Sequence, residues 1–500
     1  MSGKSSESKD IPLIVVSSRL PYQIPASHDT QSNKKLTKSV SGLVTALEGL
    51  SEESLWIGGV IKDDVEEFKE HLPAGENQKI ELHPVPIEST IYNKHKKWCN
   101  VILWFVFHGM MLSYVKKIAD ECHDYWESYK KVNQVYAESI KEQLSKQVKN
   151  AIVWIHDYHL FLVPNLLKQL LAEKPLKIRY RIGFFLHIPF PPVETFEQIP
   201  NYQEILDGML GYDSIGFHTR KYRDNFLKCC EKHKGCTFKP LTDDSYELQL
   251  GREGRKVLVQ VVPAGIVYKT FSDQSKEEFS EKFPEDLKTW VNECSKNPKT
   301  LLIGVDRIDH TKGLLRKVDA FQELLEKRKL SHKVFFLQIA VPCRDTEPKY
   351  EELKKELKNR VGNFKYQSNI RLHLESLSQQ DLSVLYKKAD VALVTPLIDG
   401  LNLVALEYIA CQPAEPGVLI LSKKTGAAEY IHDDDALKVD PENEQEMEET
   451  MYQAISMNSK ERRERMKRLQ HQVQEKFISE RWVQLSLKPL RERVEHIAKL

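Results

Sequence analysis

A chain of 500 residues, 41% hydrophobic and 29% charged with a net charge of +1, is globular and too long for a single hydrophobic core. That charge balance gives no electrostatic case for nucleic acid or an acidic membrane surface. The eight cysteines are scattered apart from Cys229–Cys230 and show no CxxC spacing. This argues against a zinc site or disulfide framework and for reduced thiols in the cytoplasm.

The first ten residues, MSGKSSESKD, are polar, lack the apolar stretch of a signal peptide and are expected to be flexible. No uncharged apolar run nears the ~18 residues of a membrane span. Apolar runs then recur: LIVVSS (13–18), AIVWIHD (151–157), YRIGFFLHI (180–188), DSIGFHT (213–219) and VLVQVVPAG (257–265). LLIGVD (301–306), KVFFLQIAV (333–341), VALVTP (391–396) and GVLILS (417–422) follow. Continuous apolarity without alternation suits parallel strands covered on both faces. Helical stripes lie between them: Leu162, Leu166, Leu167 and Leu170, with Pro164 near the start, and Leu314, Leu315, Val318, Phe321, Leu324 and Leu325.

Alternating strands and helices predict an α/β chain with two doubly wound, Rossmann-like domains facing across a deep cleft. The expected division is a flexible 1–10, a first domain over 11–265, a second domain over 266–478 and a C-terminal helix over 479–500. That helix carries Trp482, Leu485, Leu490, Val494 and Ile497 and is expected to pack back on the first domain. The polar loop PASHDTQSNKKLTK (25–38) follows the first strand, where either a lid or an ordinary surface loop would fit.

The polar clusters follow apolar runs: SSRLP (17–21), HDYHL (156–160), HIPFPP (187–192), GFHTRKY (216–222), DRIDHTKG (306–313), PCRD (342–345) and LIDGLNLVALEY (397–408). Ligands of open α/β sheets bind beyond the carboxyl ends of strands, so this placement predicts one binding cleft. In VDRIDHTKG, Arg307 and Lys312 suggest an anion site rather than a solvated turn. In DGLNLVALE, Gly400 would permit a tight turn whose amides and helix start could hold a diphosphate. Glu407, further along that helix, could accept from a ribose diol. HDYH lacks further metal ligands at convincing spacing, so Asp157 reads as a partner for a substrate hydroxyl. Trp104 and Phe107 fit a core, with a substrate-facing Trp104 as the alternative. His187 could be structural or functional, and Arg344 stands at a strand end. There is no Walker loop and no GxGxxG.

Taken together, these segments resemble the trehalose-6-phosphate synthase family of retaining GT-B glucosyltransferases. The match runs from SSRLP through HDYHL, IGFFLHIPFP, IGFHT, GVDRIDHTKG, QIAVPCRD, ADVALVTPLIDGLNLVALEYIACQ and PGVLILSKKTGAAE, about residues 12 to 485. The resemblance implies glucose transfer from UDP-glucose to glucose 6-phosphate, giving α,α-trehalose 6-phosphate and UDP. It places Arg307 and Lys312 on the donor diphosphate, and Asp399, with the backbone of Gly400, Leu401, Asn402 and Leu403, on the donor glucose. Glu407 would hold the ribose and Gly42 would contact the donor. Arg19 and Arg344 would grip the acceptor phosphate, Asp157, His95 and Trp104 would line the acceptor, and His187 would sit beside the anomeric centre. No cofactor, no metal and no covalent nucleophile are implied. A homo-oligomer, or a complex with a separate trehalose-6-phosphate phosphatase, is the expected assembly, since no DxDxT motif of a phosphatase half is present.

Departures from the family pattern cluster on the acceptor side. Ser41 stands for the first of two glycines before LVxAL. His95 stands where a tyrosine is usual nine residues before Trp104, and Phe105 stands for a proline. Val267 replaces an aspartate and Leu406 a lysine. A changed acceptor, or a non-catalytic regulatory subunit or sugar-phosphate sensor, is the competing reading. Retention of Arg307, Lys312, Asp399 and Glu407 favours the synthase.

Overall fold

The computed structural model describes residues 11–24, 36–38, 42–50, 52–72, 79–121, 123–251, 254–296, 298–344 and 347–496. The expected flexible start, most of the 25–38 loop and Ser41 lie outside them. The chain divides into two compact units. One runs to Pro263 and resumes at Trp482, and the other spans Ala264–Arg481.

The first unit is built on Leu13–Ser17 (β1), with a small antiparallel pair, Tyr22–Gln23 (β2) and Thr37–Lys38 (β3), beside it in sequence. Its other strands are Ser54–Ile61 (β4), Ile80–Ile87 (β5), Ala151–His156 (β6), Tyr180–Phe185 (β7), Ser214–Phe217 (β8), Thr237–Thr242 (β9), Ser245–Gln249 (β10) and Lys256–Val261 (β11). The main sheet runs β5-β4-β1-β6-β7-β8-β11-β10-β9. It is parallel from β5 to β11, and an antiparallel hairpin, β9–β10, closes one edge. β1 and β6 are buried at every position, as strands covered on both faces must be. β5 carries Pro84 and Pro86, which a strand tolerates at a sheet edge, and among the described residues it pairs with β4 alone.

The second unit holds Thr300–Arg307 (β12), Val334–Val341 (β13), Ile370–His373 (β14), Val391–Val394 (β15), Val418–Ser422 (β16) and Leu437–Val439 (β17). All are parallel, in the order β14-β13-β12-β15-β16-β17. Leu302, Phe336, Val391 and Ile420 of this sheet pack with Leu314, Val318, Phe321 and Leu325 of helix Leu314–Arg328. Each such fully buried side chain contributes roughly 1.5–3 kcal/mol.

Both sheets are doubly wound, and in each the strand order reverses beside the first strand, between β1 and β6 and between β12 and β15. Such switch points open a crevice at the strands' carboxyl ends.

Two helix readings need correcting. In helix Val163–Glu173 the buried stripe is Val163, Pro164, Leu167 and Leu171, about one residue round from Leu162, Leu166 and Leu170. In helix Ser479–His496, Leu485 is 41% exposed, while Trp482, Leu490 and Val494 are buried. The Trp482 ring meets Trp154 at 4.9 Å and Phe185 at 5.1 Å, between centroids.

Candidate functional site

In the second unit β12 ends at Arg307, and the chain turns through His310–Lys312 into Gly313. Gly313 adopts φ 62°, and a Cβ there would stand 3.1 Å from the Thr395 carbonyl at the end of β15. The left-handed φ and this close approach both disfavour a side chain where the two switch-point segments touch. The Thr311 carbonyl accepts the Leu397 amide at 2.7 Å, tying the same segments together.

The turn is held from beneath by two carboxylates. Asp306 is buried and accepts Lys317 Nζ at 2.6 Å and Gln338 Nε2 at 3.1 Å. Asp309 is buried and accepts the Thr311 amide and hydroxyl, each at 3.0 Å, and Arg344 Nη1 at 2.6 Å. Burial alone would raise the Asp309 carboxyl. The charges of Arg344 and Arg307 outweigh it and hold the carboxyl well below the usual carboxylate range. His310 turns away, with Nε2 on the Lys349 carbonyl at 3.0 Å and the ring edge-on to Tyr350. Arg307 itself is exposed.

Lys312 reaches from this turn to Asp399, on the loop after β15, and the two side chains form an ion pair. Asn402 Nδ2 donates to the same Asp399 oxygen at 3.1 Å. The next helix, Leu403–Cys411, starts at Asn402, whose side chain takes the Ala405 amide at 3.3 Å. The amides of Leu403 and Val404 remain at the positive end of that helix. The conformational demand of this turn falls on Asn402, at φ 76°, and not on Gly400 as expected. Asparagine bears the left-handed region because its carboxamide bonds locally, here to Asp399 and Ala405. Gly400 instead presents its carbonyl to Gly426, where a Cβ would lie 2.0 Å from it. The Gly426 amide donates to Asp399 O at 3.1 Å and the Ala427 amide to Leu401 O at 3.0 Å, so 425–427 braces 399–401. Further along, the Tyr386 hydroxyl donates to Glu407 Oε2 at 3.1 Å, and Leu406 is buried beside it.

In the first unit β1 leads into Ser18 and Arg19. The Ser17 hydroxyl donates to the Arg19 carbonyl at 2.6 Å while accepting Trp56 Nε1 at 2.8 Å. Across the switch point β6 ends at His156, and Asp157 follows at φ 72°, its amide on the Phe185 carbonyl at 2.9 Å. The His187 amide reaches Asp157 Oδ1 at 3.4 Å, so the residues after β6 and β7 are directly linked. His187 Nε2 and His156 Nδ1 share a hydrogen bond of 3.1 Å. The His187 ring also meets His218 and Trp482, at 5.5 and 5.7 Å between centroids. Burial holds His156, His187 and His218 neutral, His218 down to about 3.

His95 and Trp104 lie in the interior. His95 is 1% exposed, its ring stacked between Tyr92 and Tyr129, and Nε2 donates to the His159 carbonyl at 3.2 Å. Burial lowers it to about 4. Trp104 is 5% exposed, packed on His108 and Tyr158. Both stand behind the Asp157 turn rather than on an open face. Gly42 opens the short helix Gly42–Leu47 and is exposed. Among the described residues no three His, Cys, Asp or Glu side chains gather as metal ligands, and no helix is long and apolar enough to cross a membrane.

Lys317, Gln338 and Tyr386 are the site's unforeseen members. A lysine in the middle of the apolar stripe of helix Leu314–Arg328 was the available signal for the first.

Residues 12–492 match the family described as glycosyltransferase family 20. The chain is similar to alpha,alpha-trehalose-phosphate synthase (UDP-forming) A of Dictyostelium discoideum, 36% identical over 479 residues, covering 93% of this chain and 60% of that protein. It thus spans less than two thirds of that relative. It is also similar to the alpha,alpha-trehalose-phosphate synthase (UDP-forming) of Pichia angusta, 33% identical and covering 96% of this chain and 98% of that one. Among solved structures, the Burkholderia xenovorans synthase in complex with glucose-6-phosphate superposes with a TM-score of 0.79 at 26% identity, covering 96% of this chain and 100% of that one. The E. coli protein bound with UDP-2-fluoro glucose gives 0.78 at 26% identity, covering 96% and 99%. The chain belongs to glycosyltransferase family 20.

Proposed function

We propose that this chain is an active UDP-forming trehalose-6-phosphate synthase, transferring glucose from UDP-glucose to glucose 6-phosphate with retention. The observation that carries this reading is the Lys312–Asp399 pair at the β12/β15 switch point, with Arg307 on the same turn. A nucleotide sugar offers both partners better company. Its diphosphate takes Lys312 and Arg307, and the hydroxyls of its glucose take Asp399 and the backbone of Gly400, Leu401, Asn402 and Leu403. The ion pair is exchanged for ligand contacts, and neither charge is left unpaired.

Charge grows on the diphosphate as the glycosidic bond breaks. A planar guanidinium, an ammonium and the positive end of helix Leu403–Cys411 stabilise that charge more than the ground state, which is how fixed dipoles accelerate a reaction. Glu407, oriented by Tyr386, holds the ribose, and Gly42 contacts the donor. Arg19 and Arg344 take the acceptor phosphate, Arg344 being aimed by Asp309. Asp157 binds the acceptor sugar, His187 sits beside the anomeric carbon as a neutral imidazole, and His95 and Trp104 back the acceptor site. The acceptor hydroxyl attacks the face from which UDP departs, a phosphate oxygen takes its proton, and no enzymic nucleophile is used. The reaction needs no cofactor and no metal, and the protein works in the cytoplasm. A homo-oligomer or a phosphatase partner is compatible with this role.

The test is the product. Incubation with UDP-glucose and glucose 6-phosphate should yield a disaccharide phosphate whose two anomeric protons both show α couplings by NMR. A β linkage, or ligand binding without product, would overturn the reading.

A further inference from the structure

The stretch KHKK (94–97) sets four basic side chains on one helical turn. Lys94 Nζ pairs with Asp124 at 3.1 Å, Lys97 lies 5.9 Å over the Tyr125 ring, and His95 points inward. Lys96 differs from Lys94 in having no carboxylate partner among the described residues, and from Lys97 in being partly buried against its ring. Its Nζ is 4.1 Å from the centroid of the Tyr92 ring. Tyr92 sits one helical turn earlier and is buried. Its hydroxyl donates to the Ser18 carbonyl at 3.4 Å and lies within hydrogen-bonding reach of the Arg19 guanidinium. Burial and the like charge of Arg19 pull the Lys96 ammonium down to about 8. Two cations from different segments thus converge on one phenol, partly desolvated, without a carboxylate to separate them. Such a pair is strained alone and satisfied by a shared anion.

We propose that Lys96 and the Tyr92 hydroxyl, together with Arg19, form the phosphate clamp for the acceptor, doing the work expected of a residue at position 95. The inference rests on the reading of the acceptor as a hexose phosphate. The helix supports it geometrically. Trp98–Leu103 is π-helical, so the face presented at 92 and 96 is out of phase with a count made back from Trp104 through a regular α-helix. His95 is thereby turned into the core, and Tyr92 and Lys96 meet the segment after β1. Lys96 selects for the phosphorylated sugar over the free one, because its ammonium gains only from an anion.

The experiment compares wild type, Lys96→Met, Lys96→Arg and Tyr92→Phe at saturating UDP-glucose. Lys96→Met keeps the stem on Tyr92 and removes the charge. It should raise KM for glucose 6-phosphate roughly tenfold or more, the range of a charge-assisted hydrogen bond. It should also narrow the preference for glucose 6-phosphate over glucose, while UDP affinity by calorimetry stays within about twofold. Lys96→Arg should restore most of the loss, and Tyr92→Phe should show a smaller rise. A wild-type KM and preference in Lys96→Met, with UDP binding intact, overturns the clamp and leaves the synthase reading standing. A wild type that binds glucose 6-phosphate without turnover overturns the synthase reading instead. The dissociation constants of the same variants then decide Lys96.

Discussion

Lys312 and Asp399 are 87 residues apart in sequence and form an ion pair across the switch point of the second unit's sheet. Both side chains are more than four-fifths shielded from solvent, so neither is a screened surface charge. The pair joins the turn after β12 to the loop after β15, and it sets the expectations for variants here.

Removing a donor cation should damage catalysis more than binding. Lys312→Ala and Arg307→Ala are expected to lower kcat about 100- to 1,000-fold, the usual loss when one stabiliser of transition-state charge is deleted. Lys312→Ala also leaves Asp399 without its cation and should destabilise the fold by about 1–3 kcal/mol. Stopped assays with chemical denaturation of the same samples check both. Arg307→Ala, on an exposed residue, should show the kinetic loss without the stability loss.

Asn402 offers a backbone test. At φ 76° a non-glycine residue without local hydrogen bonds is strained by about 1–2 kcal/mol. Asn402→Ala should therefore be less stable than Asn402→Gly, although alanine is the better helix former. Both lose the cap on Ala405 and the bond to Asp399. Urea midpoints for the two variants measure the difference. The reverse order would place the strain elsewhere.

Asp306 and Lys317 are a buried pair, with side chains 4% and 0% exposed. Lys317→Met strands a carboxylate and should cost about 3–5 kcal/mol. The double variant Asp306→Leu/Lys317→Met should recover much of that, because a buried pair is often replaceable by apolar groups of similar size. A double-mutant cycle in denaturant gives the coupling.

How much of this was legible beforehand follows from what kind of signal each residue leaves. Arg307, Lys312 and Asp399 stand in short polar segments after apolar strands, and placement points to them, while Glu407 is the acidic position in the apolar helix that follows. Lys317 and Tyr386 sit inside helices, 11 and 21 residues from their partners Asp306 and Glu407. Only tertiary packing makes those pairs: a lysine inside an apolar helical stripe marks Lys317 as unusual without pointing to Asp306, and no local pattern marks Tyr386. β5 was missed because Pro84 and Pro86 argue against a strand unless its edge position is known. His95 could be placed on a helix but not on a face, since the π-helical stretch between it and Trp104 changes the phase.

The histidines carry a pH dependence. Burial lowers all four buried histidines: His156 and His187 fall well below the ordinary value, His95 to about 4 and His218 to about 3. The unfolded chain protonates its histidines near the ordinary value of about 6.5, and the folded chain does not. Between those values the unfolded state binds more protons, so stability is full above roughly pH 6.5 and falls as pH drops towards 3–4. His218→Gln should flatten the fall by about one proton. Midpoints of denaturation from pH 7.5 to 4.5 give the slope, and a flat profile in the wild type would contradict the buried neutral cluster.

The central claim is glucosyl transfer to a phosphorylated sugar, and one measurement addresses it most directly: the rate of UDP release from UDP-glucose with glucose 6-phosphate, with glucose and with neither. The account predicts steady release with glucose 6-phosphate, release slower by at least tenfold with glucose, and background without an acceptor. Equal rates in all three, or none in any, would contradict it.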